Sequence, residues 1–331
     1  MSCDPSRISR ADDAILASRA LGSGAAFLAG GTTLLDLMKL DVLKPETLVD
    51  INALRGSSPA IAPTAAGLRL SAFASMAEVA DDPNVQRDYP VIAQSLLLAA
   101  SAQLRNMATL GGNVLQRTRC NYFRDPSWKA CNKREPGSGC AALDGVNRKH
   151  AVLGTSAHCI ATYPGDFAQA LMALDATVET IAPAGARVLK FEALHQVPGD
   201  TPQTETNLTP GELITAFIVP RVPWTRRSLY LKIRDRESYE FALASAAVAL
   251  EMEGKTVKQA RIALGGIATK PWRAHAAEQA LAGKMMNEES ASHAGQLALA
   301  PASARGGNAF KIERGRRTVA RALLQAASMK V

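Results

Sequence analysis

Residues 106–159 constrain the fold of this chain more than any other stretch. The stretch opens with Asn106-Met-Ala-Thr-Leu-Gly111-Gly112-Asn113. It then passes Cys120, Cys131, Cys140 and Cys159, four of the chain's five cysteines. Between them lie Pro126, Pro136, Gly137, Gly139 and Gly145, with little hydrophobic periodicity, which describes a long irregular loop. A loop of this length inside a compact domain needs something to hold it. The gaps of ten, eight and eighteen residues are not the short repeated spacings of a small zinc module or a ferredoxin. Four thiolates on a metal cluster would hold the loop, and a cluster beside a nucleotide site points to electron transfer. The alternative is a basic surface loop with scattered thiols, because nothing in the spacing forces the four to converge.

Charge fits the first reading. Arg117, Arg119, Arg124, Lys129, Lys133, Arg134, Arg148 and Lys149 face only Asp125, Glu135 and Asp144, so this segment carries five of the eight excess positive charges. Basic neighbours would offset the negative charge of a thiolate-bound cluster and favour deprotonated ligands. A net charge of +8 and a pI near 9.4 also raise nucleic-acid binding. Aromatic residues are only 5%, however, and no helix-turn-helix, zinc-finger or stacking pattern appears, so no nucleic-acid partner is expected. No apolar run is long enough to span a bilayer. The start, Met1-Ser-Cys-Asp-Pro-Ser-Arg7, lacks the apolar centre of a secretion leader. Cys3 stands apart from the clustered four, and five cysteines do not suggest a disulfide framework.

The 331 residues have ordinary globular composition and allow two or three domains. Residues 11–24 read as a short helix started by Asp12-Asp13 and stopped by Gly22. Ala25–Ala29 reads as a buried strand, Gly30-Gly31-Thr32-Thr33 as a turn, and Leu34–Leu40 as a helix. Strand, double glycine, hydroxyl residues and helix make a phosphate cradle, in which backbone N–H groups and the two threonines can donate to a pyrophosphate. Alone, the segment is as well explained by a structural turn, since it is neither a GxGxxG nor a Walker loop. Thr109-Leu-Gly111-Gly112-Asn113 is a second such segment, and two of them are better explained by an extended ligand held from two sides.

Elsewhere, strands are expected at Thr47–Ile51, Gly67–Leu70, Ala176–Ile181, Gly185–Leu189, Glu212–Val219, Ser228–Arg234 and Val257–Leu264. Helices are expected at Phe73–Ala80, Tyr89–Leu104, Phe167–Leu174, Ala274–Leu281 and Thr318–Met329. Asp166 is a natural N-cap for the helix from Phe167, a role that competes with ligand contact. Phe241–Met252 is alanine-rich and reads as either strand or helix. Turn-rich stretches divide the chain into residues 1–58, 59–222 and 223–331, with the cysteine loop at 114–160. The basic cluster Arg314, Arg316 and Arg317 reads as a solvated face or a subunit contact. No HExxH, GxSxG or acid–base set appears, so no catalytic residue is expected here.

Phe27–Lys39 together with Asn106–Asn113 resembles the FAD-binding subunit of the molybdenum hydroxylases, the family of xanthine dehydrogenase and carbon monoxide dehydrogenase. Leu115–Asp125, Cys131-Asn-Lys-Arg134, Pro136–Cys140 and Ala151–Ala161 look like the flavin and iron–sulfur subunit of bacterial three-subunit aldehyde oxidoreductases. The resemblance covers nearly the whole chain. It implies an α+β protein with an FAD-binding fold of the vanillyl-alcohol oxidase and CO dehydrogenase flavoprotein type. Two N-terminal α/β subdomains clasp the FAD, followed by a C-terminal α+β domain. Position by position, it assigns Ala29, Gly30, Gly31, Thr32, Thr33 and Leu34 to the first pyrophosphate loop. It assigns Thr109, Gly111, Gly112 and Asn113 to the second flavin loop, and adds Ser156, Asp166 and Lys232. Cys120, Cys131, Cys140 and Cys159 match the ligands of a [4Fe-4S] cluster. One departure stands out: the family begins with a short strand containing an aromatic residue, whereas this chain begins with a polar, proline-bearing segment. Either the first strand is lost or the start is atypical.

The resemblance further implies a heterotrimer. A large subunit with a molybdenum cofactor oxidises the substrate, and a small subunit with two [2Fe-2S] clusters passes electrons to FAD in this chain, which delivers them to an external acceptor. Similar complexes are periplasmic, exported folded by a signal on the small subunit, so a missing leader here does not decide between periplasm and cytoplasm. The rival readings are an FAD-binding assembly subunit whose cysteines form a zinc or thiol site, and a stand-alone flavin oxidase.

Overall fold

Short apolar strands separated by capped helices build three layered units in the computed structural model, which describes residues 7–10, 13–20, 22 and 24–331. Cys3 and Asp12 lie outside the described residues. The first unit runs β1 Arg7–Arg10, α1 Ala14–Ala20, β2 Ala25–Leu28, α2 Leu34–Lys39 and β3 Thr47–Asp50. Its strands are parallel in the order β1-β3-β2. A first strand is therefore present despite the polar start: strand pairing uses backbone groups that every non-proline residue supplies. Helix α1 is shorter than expected. Its start is fixed by Asp13, whose Oδ1 accepts from the N–H groups of Ile15 and Leu16 at 2.8 and 3.0 Å.

The second unit adds β4 Ile61–Thr64, β5 Gly67–Ser71, α3 Met76–Ala80, α4 Pro83–Asp88, α5 Pro90–Leu97, α6 Ala102–Met107, α7 Leu110–Val114, α8 Asn121–Arg124 and α9 Phe167–Ala173. It closes with β6 Thr177–Ala182, β7 Gly185–Lys190 and β8 Leu213–Pro220. The strands form an antiparallel sheet in the order β4-β5-β8-β6-β7. The single helix expected over Tyr89–Leu104 is broken. Ala100 takes a left-handed φ of 50°, and Ser101 caps a new helix by accepting the Leu104 N–H at 3.3 Å. Apolar spacing runs through both pieces, so periodicity could not show the break. The break turns the chain so that α6 delivers Met107 to the second glycine loop.

The third unit contains β9 Ser228–Ile233, β10 Ala244–Glu253, β11 Thr256–Gly265, β12 Trp272–Arg273, α10 His275–Leu281, α11 Glu288–Ala298 and α12 Phe310–Ala327. Its antiparallel sheet has the order β12-β11-β10-β9. The alanine-rich segment is strand β10. Ala247 and Ala249 face the core of the second unit, while Ala244, Ala246, Val248 and Leu250 face the core under α11 and α12. With both faces apolar, the period of two was hidden. Helix α11 escaped sequence reading because its buried positions are Ala291, Ala294, Gly295 and Ala298, too small to register as a hydrophobic stripe. They let α12 approach closely: a Cβ on Gly295 would lie 2.5 Å from Arg316 O. Helix α12 begins eight residues before the expected Thr318 and contains the basic cluster, of which Arg316 and Arg317 pair with Glu313. Among the described residues no helix is long and apolar enough to cross a membrane.

Helix α12 also carries a fully buried lysine. Lys311 is 0% exposed, and its Nζ donates to Gly266 O at 2.7 Å and Lys149 O at 2.9 Å. Burial pushes its ammonium from 10.5 down to about 7, with Arg148 and Lys149 adding to the effect. The folded value lies below the unfolded one, so between the two the unfolded chain holds the extra proton. Lys311 therefore makes stability rise with pH from about 7 towards 10.5. Lys311→Met is expected to flatten that rise, measured as the difference in urea midpoint between about pH 7.5 and about pH 9.5. An equal pH dependence in both proteins would reject this account.

Candidate functional site

The two glycine loops meet because one residue of the first can carry no side chain. A Cβ on Gly30 would lie 1.8 Å from the carbonyl oxygen of Met107, at the end of α6. Gly31, with φ of 72°, then turns the chain into α2, where Thr33 holds the N-cap position without capping it through its side chain. In the second loop Thr109 caps α7 by accepting the Gly112 N–H at 3.2 Å. A Cβ on Gly111 would lie 3.2 Å from Ala72, so this loop is pressed against the residue that follows β5, less tightly than the first is pressed against the end of α6.

Between the loops lies a cavity of about 250 Å³, lined by Ala29, Gly30, Gly31, Thr32, Thr33 and Leu34 from one side and by Thr109, Gly111 and Gly112 from the other. Among the described residues its one charged lining residue is Arg117, which pairs with Glu205. Thr32 and Thr33 also border a second cavity of about 460 Å³, whose further walls include Asn113, Pro164, Asp166 and Lys232. The two spaces share these threonines in their walls, so the first glycine loop borders both.

At the far wall the sequence-predicted cap is not one. Asp166 occupies the N-cap position of α9 but makes no side-chain capping bond. Its Oδ1 accepts from Tyr230 Oη at 2.5 Å and its Oδ2 from Lys232 Nζ at 2.7 Å. Lys232 also donates to Leu98 O at 3.0 Å. The pair is deeply buried, with side chains 2% and 4% exposed. Burial and the neighbouring Asp166 charge hold the Tyr230 hydroxyl well above its ordinary value, so it remains a donor. Sequence reading named Asp166 and Lys232 and missed Tyr230. The signal was the alternation of β9, which puts residues 230 and 232 on one face. Ser156 lines neither cavity: its hydroxyl accepts from the N–H groups of His158 and Cys159 at 3.1 and 3.2 Å. Its place is in the cysteine loop.

That loop gathers the four thiols. Cys131 and Cys140 face each other across a short antiparallel bridge, flanked by bonds from Asn132 N–H to Gly139 O and from Ala141 N–H to Ala130 O, at 2.7 and 2.9 Å. All four cysteines are free. Burial pushes Cys120 up to about 12, opposed by the N–H groups of Phe123 and Tyr122 and reinforced by the charges of Cys131 and Cys159. Burial likewise pushes Cys159 to about 11, with Lys133 opposing and Cys140 and Cys131 adding. Cys140 is raised by burial, with Cys131 adding. Cys120, Cys140 and Cys159 thus each feel neighbouring thiols. His150, missed at the sequence level, places Nε2 3.1 Å from Cys120 Sγ. Among the described residues no three His, Cys, Asp or Glu side chains are placed to hold a single metal ion, which disfavours the zinc reading. Ligands of a multi-iron cluster each bind their own iron and stand farther apart. Buried thiols this hard to ionise become thiolates only when a cation compensates them, so the donor set fits such a cluster.

The loop's positive charge works differently from expectation. Arg119 and Arg124 pair with Asp36 at 3.1 and 2.8 Å, and Arg117 and Lys133 pair with Glu205. Arg148 pairs with Asp235 and Lys149 with Glu240, while Arg134 donates to the carbonyls of Tyr122, Phe123 and Trp128. These cations stitch the loop to the body. Of these cations Lys133 acts on a thiol, opposing the effect of burial at Cys159.

Known proteins share this architecture. Residues 4–222 match the FAD-binding domain of molybdopterin dehydrogenases, and residues 229–331 match the CO dehydrogenase flavoprotein C-terminal domain. The aldehyde oxidoreductase FAD-binding subunit PaoB of Escherichia coli is 46% identical over 304 residues, 92% of either chain. The carbon monoxide dehydrogenase medium chain of Afipia carboxidovorans is 28% identical, over 88% of this chain and 84% of its own. A crystal structure of the Cu,Mo-CO dehydrogenase superposes with a TM-score of 0.75 at 26% identity, covering 98% of this chain and 99% of that one. Quinoline 2-oxidoreductase of Pseudomonas putida shares the fold, with a TM-score of 0.75 at 22% identity over 99% and 98% of the two chains. With two glycine loops around one cavity and both domain families matched along the chain, this α+β protein belongs to the FAD-binding subunits of the molybdenum hydroxylases, a family of oxidoreductases.

Proposed function

We propose that this chain is the electron-transfer flavin subunit of a molybdenum-containing aldehyde oxidoreductase. Its partners in the proposed heterotrimer are a large molybdenum-cofactor subunit and a small subunit with two [2Fe-2S] clusters. The proposal includes a [4Fe-4S] cluster on Cys120, Cys131, Cys140 and Cys159. The cavity between the glycine loops, with the buried Asp166–Lys232 pair in the wall of the wider one, is the observation that carries the flavin part. The relative named as an aldehyde oxidoreductase subunit supports the substrate class, and the four free thiols of one loop, two buried and two half-buried, support the cluster.

When bound, FAD takes electrons singly or in pairs and so joins one-electron carriers to an external acceptor. The residues of this chain bind and orient it. Gly30, Gly31, Gly111 and Gly112 bring bare backbone to the narrow cavity, and Arg117 supplies a positive charge there. Lys232, held by Asp166 and Leu98 O, presents a fixed ammonium to the wider one. No group here has to oxidise a substrate, because in this reading that chemistry belongs to the large subunit.

Two substitutions test the flavin site. Gly30→Ala forces the loops apart, and Lys232→Met leaves Asp166 buried without its cation, at a cost of about 3–5 kcal/mol. Both are expected to lower FAD per chain in the purified complex, and full flavin in both would sink the assignment. For the cluster, the anaerobically purified complex should contain about eight irons, four from the small-subunit clusters and four from this chain. Cys131→Ser should remove about four of them; a wild-type total of about four would leave this chain a plain FAD subunit. The reading extends to a periplasmic complex exported with a signal-bearing partner. Cell fractionation should find the chain in the periplasm, and recovery with cytoplasmic markers would reject that.

A further inference from the structure

One histidine borders the thiol group and has no task in the flavin site. His150 is 5% exposed. Its Nε2 lies 3.1 Å from Cys120 Sγ, and its Nδ1 is buried with no hydrogen-bond partner. The ring is held from the third unit, which grips the backbone on both sides of it. Lys311 Nζ donates to Lys149 O at 2.9 Å, Asn308 Nδ2 to Ala151 O at 2.9 Å, and Ser303 N–H to Val152 O at 2.8 Å. Lys311 and Asn308 are both 0% exposed. From the other side Ala151 N–H donates to Ile160 O at 2.9 Å, next to Cys159. Four bonds thus fix four consecutive peptide units around one imidazole.

A thiolate that ligates iron has lost its proton and can only accept a hydrogen bond, whereas a neutral imidazole donates from one nitrogen. The nitrogen facing Cys120 must then be the one that carries hydrogen. A bond of this kind draws charge from the sulfur and stabilises the more negative, reduced form of a cluster, and hydrogen bonds to sulfur are among the factors that set cluster potentials.

We propose that His150 donates Nε2–H to the Cys120 thiolate and raises the reduction potential of the cluster, acting as a positioning residue and not as a ligand. This rests on the cluster reading above and goes beyond it, because it assigns a residue that sets how readily the cluster accepts an electron.

The test uses the assembled complex purified without oxygen, first as wild type, then as His150→Leu and His150→Gln. Iron, sulfide and FAD are counted, and the four-iron signal is followed by electron paramagnetic resonance in a redox titration. His150→Leu is expected to keep its iron and FAD while the ratio of reduced to oxidised cluster at a fixed poise falls about tenfold, equivalent to about 59 mV for one electron. The amide of His150→Gln can still donate and should restore part of the ratio. An unchanged ratio in His150→Leu with full iron overturns the proposal. Where His150→Leu loses iron, wild-type complex labelled with ¹⁵N-histidine decides: a histidine nitrogen coupled to the reduced four-iron cluster upholds the bond, and no coupling overturns it. A wild type holding only the small-subunit iron overturns the underlying cluster reading, which separates that failure from an unchanged potential in a fully loaded protein.

Discussion

The buried contact between Asp166 and Lys232 is the interaction on which the arrangement of the site depends. It joins the start of α9 in the second unit to β9 in the third, across the wall of the wider cavity. Burying both charges is expensive, and such pairs give little net stability. What this pair gives is direction. Each Asp166 oxygen has one donor, Tyr230 or Lys232, and Lys232 has a further acceptor in Leu98 O. An ammonium tied at two points cannot reorient towards solvent. The third unit therefore contributes a fixed charge to a cavity built mostly by the first two, which explains why a flavin-binding chain needs its C-terminal domain.

The cysteine loop applies the same logic with opposite signs. Its cations look on paper like counter-charges for a cluster, but most of them are bound to carboxylates elsewhere: Asp36 in the first unit, Glu205 in the second, and Asp235 and Glu240 in the third. Partly exposed pairs of this kind are individually weak. Distributed over three units, they hold a segment that has almost no regular structure of its own. Burial leaves Cys120 and Cys159 poor acids, with Lys133 acting against it at Cys159.

How much of this was legible depends on how far apart the contacting residues are in sequence. The glycine loops could be read because each is a local pattern of strand, small residues and helix. The thiol set could be read because cysteines are rare. Tyr230 and His150 could not, because their roles arise from contacts 64 and 30 residues away. Helix α11 and strand β10 were obscured by alanine, which packs on any face and so erases the period on which such reading relies. The break at Ala100 was invisible because a left-handed alanine is settled by the surrounding packing and not by its own preference.

Helix α2 explains why a flavin tract and a thiol loop occur in one chain. Its N-terminal side, Thr32 to Leu34, lines the cavities. Two residues later Asp36 holds Arg119 and Arg124, which bracket Cys120 and the helix that follows it. Leu37 then packs with Phe123 and Cys131. Six residues of helix span only about 9 Å, so the two regions share one rigid support and cannot drift independently. The six-residue element thus joins the first glycine loop to the thiol loop, through the ion pairs of Asp36 and the packing of Leu37.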